Sequence, residues 1–281
     1  MILGVDRVRT FAERAMTAGI AGLASLMGVA VGEAQATGFM PHRAVYDLTL
    51  QSAETASGIA ALSGKMVFEV QGSACEGYSV EFRLITQITA TNGMVRMTDV
   101  RTSSFEKPDG DGFQFLSQTF LDQKKTQESR GEATRDGAGM QVALSKPSEK
   151  SVSFDQTIMF PSQHFQEIIR RAQAGDRFLN VGVYDGSEEG ETFFETSTVI
   201  GNPRDIEDPA GQPAIESKTH WPVVISYFEP KSGQVDTTPI YTLSFLTNAP
   251  GISRDLKMDY NAFAIKGTLA ELERFEVAAC P

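Results

Sequence analysis

The sequence predicts a mainly β fold: a large antiparallel sheet, strongly curled or closed as a barrel, with a single α-helix that could fill its bore. Three observations predict it. Apolar and polar residues alternate with period two through most of the chain, the spacing that turns one face of a strand to a core. Glycine, asparagine and aspartate punctuate these runs at hairpin spacing. One stretch alone has a helical period, and a sheet of so many strands leaves a bore too wide for side chains to fill unaided.

The N-terminus comes first and is not part of that pattern. Arg7, Arg9 and Arg14 make a basic region, diluted by Asp6 and Glu13. Residues 15–31 are small and apolar, and Ala34-Gln35-Ala36 puts small residues where a signal peptidase reads them. Residues 1–36 are therefore read as a signal peptide and residues 37–281 as one domain. A membrane anchor is the competing reading. Against it, the apolar run is about 17 residues, at the short limit for a span, is rich in Ala and Gly, and has no basic cluster after it. The first cysteine is Cys75, so no lipid-anchor cysteine lies at the cleavage site. After cleavage the protein is not expected to span a membrane.

Strands then follow one another. Tyr46, Leu48 and Leu50 alternate with Val45, Asp47 and Thr49, and the run 65–70 ends at Gln71-Gly72, read as a turn. Tyr78, Val80, Phe82 and Leu84 alternate with Ser79, Glu81 and Arg83, and Asn92-Gly93 is a hairpin signal before the strand 94–100. Asp109-Gly110-Asp111-Gly112 turns into Phe113, Phe115, Leu116, Phe120 and Leu121. Residues 126–134 read as a solvated edge strand or hairpin arm, and Asp136-Gly137 turns into 140–144, with Val152 and Phe154 in a further short strand.

The pattern breaks at Pro161. Phe165, Ile168, Ile169 and Ala172 recur at i, i+3, i+4 and i+7, Gly175 stands where a helix C-terminal glycine belongs, and Arg170 and Arg171 lie in the last turns. Strands resume through Phe178, Val181 and Val183 to a Tyr184-Asp185-Gly186 turn, and then through 193–200. Residues 201–213 have loop composition, and Trp221 to Phe228 is the most apolar strand, with Pro222 marking an entry position. Tyr241, Leu243 and Phe245 alternate, as do Leu256, Met258 and Tyr260, and a last long strand is expected from Phe263 to Cys280.

Composition narrows the function. Removing residues 1–36 takes away three basic and three acidic residues, so the mature chain keeps the net charge of −11. Such acidity argues against nucleic-acid binding and against simple electrostatic attraction to anionic membranes. Cys75 and Cys280 are the two cysteines, about 205 positions apart. In an exported chain they pair as a disulfide or stay as two buried thiols, and the oxidising compartment favours the pair.

No chemistry-bearing motif stands out. His42, His164 and His220 lack partners at metal-ligand spacing, so no metal is expected. His164 reads as solvated on the polar side of the helix, and His220 beside Trp221 as a structural histidine. Asp185, Glu188, Glu189 and Glu191 could serve a glycosidase or bind calcium, but Gly186-Ser187 and Gly190 give the run the composition of a solvated loop. Asp109 and Asp111 fail the rest of a calcium loop and read as a turn, and Lys124, Lys125 and Arg130 read as a solvated basic face. No catalytic residue and no cofactor is expected, and no ligand-binding residue can be named.

From about Met40 to Cys280 the chain resembles the cell-envelope integrity protein B (EipB-like) family of exported Gram-negative proteins. The residues that carry the resemblance are Cys75-Glu76-Gly77-Tyr78, Tyr184-Asp185-Gly186, Trp221-Pro222-Val223, Ser226-Tyr227-Phe228, Pro239, Tyr241, Ser244-Phe245, Asp259-Tyr260, Phe263 and Cys280. Asn248-Ala249-Pro250-Gly251 departs from the plainer Asn-Gly turn of that pattern. The resemblance implies a periplasmic β-spiral wrapped around one helix, a Cys75–Cys280 disulfide, and a non-enzymatic role in envelope integrity. Envelope protein partners are expected, with a lipid, glycolipid or lipoprotein ligand as the alternative. The disulfide would then clasp an open sheet, standing in for hydrogen bonds missing between its first and last strands.

Overall fold

The computed structural model describes residues 38–137, 139–215, 217–230 and 238–277 together with Cys280. The predicted signal peptide, residues 1–36, lies outside the described residues. Among the described residues sixteen strands occur: β1 (His42–Ala53), β2 (Ile59–Ser73), β3 (Gly77–Ala90), β4 (Val95–Glu106), β5 (Gly112–Leu121), β6 (Lys124–Asp136), β7 (Gly139–Lys146), β8 (Lys150–Phe154), β9 (Ile158–Met159), β10 (Phe178–Val183), β11 (Phe194–Ile200), β12 (Arg204–Asp205), β13 (Thr219–Phe228), β14 (Tyr241–Thr247), β15 (Ser253–Asp259) and β16 (Phe263–Arg274). One long α-helix, α1 (Pro161–Ala174), interrupts them.

The sheet order is β8-β7-β6-β5-β4-β3-β2-β1-β16-β15-β14-β13-β11-β10-β9, with β12 pairing onto the start of β13. Pairing is antiparallel throughout except between β9 and β10. The sheet is not closed into a barrel: its edges are β8 and β9. These edges are consecutive in the chain and joined by residues 155–157. Such a link reaches at most about 14 Å, so the two edges lie side by side.

That topology corrects the clasp. The first and last strands need no substitute for hydrogen bonds, because β1 pairs directly with β16 over eleven register positions, from His42↔Arg274 to Ala53↔Phe263. Cys75 and Cys280 come to disulfide distance, with Cα atoms 5.7 Å apart. Cys75 lies in the turn between β2 and β3, so the link ties the tail beyond β16 across β1, away from the open seam. Two boundaries also shift. The strand read as ending at Gln71-Gly72 continues to Ser73, and the last strand ends at Arg274. The polar run 126–134 lies in β6, between β5 and β7, which settles it as a hairpin arm.

Helix α1 forms where Pro161 occupies its first turn and Gly175 adopts φ 83° beyond its end. Its N-terminal amides are capped from afar. The buried Glu106 carboxylate accepts from Ser162 N at 2.6 Å and Gln163 N at 3.2 Å. Burial pushes that carboxyl up and the amide bonds oppose the shift. Ile168 and Ala172 join the main cluster with Tyr46, Leu48, Val223, Ile225, Phe245, Leu256 and Ile265, which identifies the inner face of the sheet. Each isoleucine buried there contributes about 1.5–3 kcal/mol of transfer free energy.

His164 is 3% exposed, with Nε2 3.5 Å from Thr198 Oγ1, and burial lowers its pKa to about 4. This corrects the solvated reading. The helix lies inside a curled sheet that meets it on more than one side, so a polar stripe does not guarantee solvent.

A second cluster gathers Phe113, Phe115, Ala133, Met140, Val142 and Leu144 with Ile158, Phe160, Tyr184 and Phe193. It spans the seam. Phe154 of β8 lies 5.9 Å from the Tyr184 ring and 5.3 Å from Phe193. Lys150 pairs with Glu191 from the same two segments. Side chains, and not main-chain bonds, shut the curl there.

Candidate functional site

The site is built at the strand ends beyond β10. Tyr227 near the end of β13 is the register partner of Tyr241 at the start of β14. Cross-strand neighbours on one face stand close enough for their rings to interact, and here they form a row. Tyr227 and Tyr241 stack at 4.3 Å, Tyr241 and Tyr260 at 5.8 Å, and Tyr260 and Phe263 at 5.1 Å. Phe194 of β11 meets Tyr227 edge-on at 6.1 Å. Tyr227, Tyr260 and Phe263 pack against the main inner cluster, which places the row on the inner face. The three tyrosines and Phe263 are half-buried, so they remain reachable from solvent.

Asp185 supplies the acid of the site. Its Oδ1 accepts from Ser187 N at 2.9 Å, and its carboxyl is half-buried. Desolvation pushes its pKa up, opposed by the Ser187 hydrogen bonds. Burial lifts Tyr227 to about 12, with a smaller contribution from the negative charge of Asp185. Tyr241 is raised well above its ordinary value by burial and then by Tyr227 and Asp185. Tyr260 rises through burial. The environment thus disfavours charge on every member. Neutral phenols beside a carboxyl donate and accept hydrogen bonds next to apolar ring faces, which is the composition of a binding wall.

The segment after β10 is fixed from several directions. Tyr184 is fully buried and its hydroxyl donates to Gly190 O at 2.9 Å, while Ser129 Oγ donates to Gly186 O at 2.6 Å. A Cβ at Gly186, which has φ 74°, would stand 2.2 Å from the Phe115 ring. The run read as a solvated acidic loop is thereby divided. The charge of Asp185 bears on Tyr227 and Tyr241, whereas Glu188 and Glu189 are exposed and Glu191 pairs with Lys150.

The remaining candidates fall elsewhere. His42 is buried, with Nδ1 2.7 Å from Met40 O, and His220 is buried, with Nδ1 2.8 Å from Lys218 O. Asp109 Oδ1 accepts from Asp111 N at 3.0 Å in a turn. Lys125 pairs with Glu128. No group of three or more His, Cys, Asp or Glu able to hold a metal occurs among the described residues.

Sequence reading missed one buried ion pair. Arg254 is fully buried and donates to Asp208 Oδ1 at 2.8 Å and Gln212 Oε1 at 2.9 Å, pinning the loop 201–213. A cleft of about 410 Å³ also opens beside α1, lined by Arg135, Thr157, Met159, Gln163, Gln166, Glu167 and Arg170.

A family model described as EipB-like matches residues 33–276. The chain belongs to the EipB-like family. It is 39% identical over 263 residues to the cell envelope integrity protein EipB of Brucella abortus, covering 93% of this chain and 91% of that one. The crystal structure of a β-barrel-like protein of a domain of unknown function, DUF1849, from Brucella abortus superimposes with a TM-score of 0.80. It is 37% identical and covers 85% of this chain and 99% of its own. Some of the residues that carry the EipB-like resemblance meet in the row: Tyr227, Tyr241, Tyr260 and Phe263 stack along one wall, whereas Tyr184 belongs to the seam cluster. No helix among the described residues is long and apolar enough to cross a membrane.

Proposed function

We propose that this protein maintains cell-envelope integrity as a non-enzymatic periplasmic protein acting through envelope protein partners. The envelope role rests on the relative named for that function. The observation that carries the mode of action is the position of α1. It lies inside the curl with His164, Ile168, Ile169 and Ala172 buried, in the space where a large ligand would otherwise sit. The test is affinity capture from envelope extracts, paired with complementation of a deletion strain challenged with detergent. Specific capture of envelope proteins is expected, together with restored resistance. Capture of nothing beyond background, with complementation intact, would reject partner binding.

The tyrosine row favours a second reading, a carrier of a lipid, glycolipid or lipoprotein. Half-buried rings beside hydrogen-bonding groups on an inner wall suit an amphiphile. Native mass spectrometry of protein taken from the envelope decides it. A co-purifying amphiphile that is lost in Tyr241→Ala supports the carrier, and a clean protein removes it.

A further inference from the structure

Building on the carrier reading, we infer that Asp185 and the tyrosine row hold the primary ammonium group of an amphiphile. Register places the parts. Val183 at the end of β10 is the partner of Phe194 in β11. Thr196, two residues on, is the partner of Tyr227 in β13, and Tyr227 of Tyr241 in β14. Phe194 meets Tyr227 edge-on at 6.1 Å. Asp185 follows Val183 by two residues, and its charge is felt at both Tyr227 and Tyr241. The carboxyl therefore stands within electrostatic reach of the first two tyrosines of the row.

That carboxyl has no counter-charge. Asp99 and Glu167, half-buried as Asp185 is, each hold two arginines: Arg83 and Arg101 on one, Arg170 and Arg171 on the other. Asp185 is hydrogen-bonded to Ser187, and among the described residues no lysine or arginine pairs with it. A carboxylate drawn out of water without a counter-ion is costly, and a bound cation offsets that cost.

The surroundings select the kind of cation. A divalent metal takes several oxygens, and no group of three or more His, Cys, Asp or Glu able to hold one occurs among the described residues. A guanidinium is held best by a fork on both carboxylate oxygens, and Oδ1 already accepts from Ser187 N. An ammonium is a compact charge with three donors, and phenol oxygens accept as well as donate. The rings of the row are within 9°, 22° and 19° of parallel, so they cover one another's faces and leave edges and hydroxyls to the bore. Such a wall offers acceptors and withholds the faces on which a base would stack.

The wall beyond the row is apolar. Leu50, Leu84, Ile88 and Leu243 pack against the same inner cluster and are half-buried. Leu243 is two residues from Tyr241, on the same face of β14, and Leu50 pairs with Ile265, two residues from Phe263. An acyl chain laid along these side chains continues from a headgroup held at the row.

The test is calorimetric titration of protein purified from cells that produce the full sequence, using two lysolipids of one acyl chain. Lysophosphatidylethanolamine and lysophosphatidylcholine have the same net charge, but only the first has N–H donors. The first should bind about tenfold more tightly, the scale of a charged hydrogen bond. Asp185→Asn keeps an oxygen for Ser187 N and should bring the ratio near one, with an unchanged unfolding temperature. Should that variant fail to fold, Tyr241→Phe keeps the ring stack, removes one acceptor and should cut the ratio about threefold. Equal binding of the two lipids by the parent would overturn the ammonium site and leave the carrier reading standing. A preference that survives in folded Asp185→Asn would overturn the assignment to that carboxyl. Ethanolamine binding as tightly as the lysolipid would remove the amphiphile. Binding of neither lipid would remove the carrier reading and the ammonium site together.

Discussion

The curled sheet meets itself at two joins of different kinds. At one, β1 and β16 are paired by main chain over eleven positions, and the Cys75–Cys280 link lies beside them. At the other, β8 and β9 share no ladder, and Phe154, Tyr184 and Phe193 close the gap with side chains. A ladder fixes register and tolerates change in any single side chain. A packed seam depends on the volume of a few rings and tolerates little. Tyr184 sits in the second kind of join, where Gly186 and Gly190 approach Phe115 and Leu144 with no room for a Cβ.

The largest effect expected is at the first join. Cys75→Ser should lower stability by up to about 5 kcal/mol under oxidising conditions, the chain-entropy limit for so long a loop. Denaturant unfolding with and without reductant checks it, and the parent and variant should coincide once reductant is added. Coincidence in both conditions would mean that no bond forms.

Next comes the seam. Tyr184→Ala empties a fully buried ring site and should cost about 3–5 kcal/mol. Hydrogen exchange should show the loss first in β7 and β8, with β1 and β16 still protected. Equal loss of protection in both places would erase the distinction between the joins.

Acid titration probes the helix held between them. His164 has a folded pKa of about 4 against 6.5 unfolded. The unfolded chain therefore gains a proton before the folded one does. Stability is full above about pH 6.5 and falls as pH drops toward 4, by about 3 kcal/mol in total at 1.36 kcal/mol per unit. His164→Gln should flatten that stretch of the stability curve, and an unchanged slope would rule the residue out as its source.

The smallest effect belongs to the Lys150–Glu191 pair, which crosses the seam at the surface with both side chains more than a third exposed. Lys150→Ala should cost about 0.5 kcal/mol or less. A loss of several kcal/mol would mean that charge, and not ring packing, holds the seam.

Much of the fold is legible because its causes are local. Period-two alternation and Asn92-Gly93 specify β3 and β4, and Pro161 and Gly175 bound the helix. Even the departure at Asn248–Gly251 builds its hairpin, with Gly251 N donating to Asn248 O at 3.0 Å. What is illegible depends on distant partners. Nothing near His42 announces that it pairs with Arg274, so the site of the open seam is invisible to pattern reading. His164 looks solvated because a helix period describes one helix and not the walls around it. Tyr227, Tyr241 and Tyr260 each read as an ordinary strand residue, and only the register stacks them. Arg254 has no local signal at all, since its acid, Asp208, lies 46 positions earlier.

The pairing of β1 with β16 carries a consequence for synthesis. Strands β1 to β8 pair only with their neighbours in sequence on one side, through short hairpins, and can zip as the chain emerges. The free edge of β1, however, waits for a partner more than 200 positions downstream. Contacts so distant in sequence close slowly, because loop entropy must be overcome first. During synthesis the nascent protein therefore leaves that strand edge unpaired until the residues of β16 have been added. That interval is when a chaperone would be most useful to it.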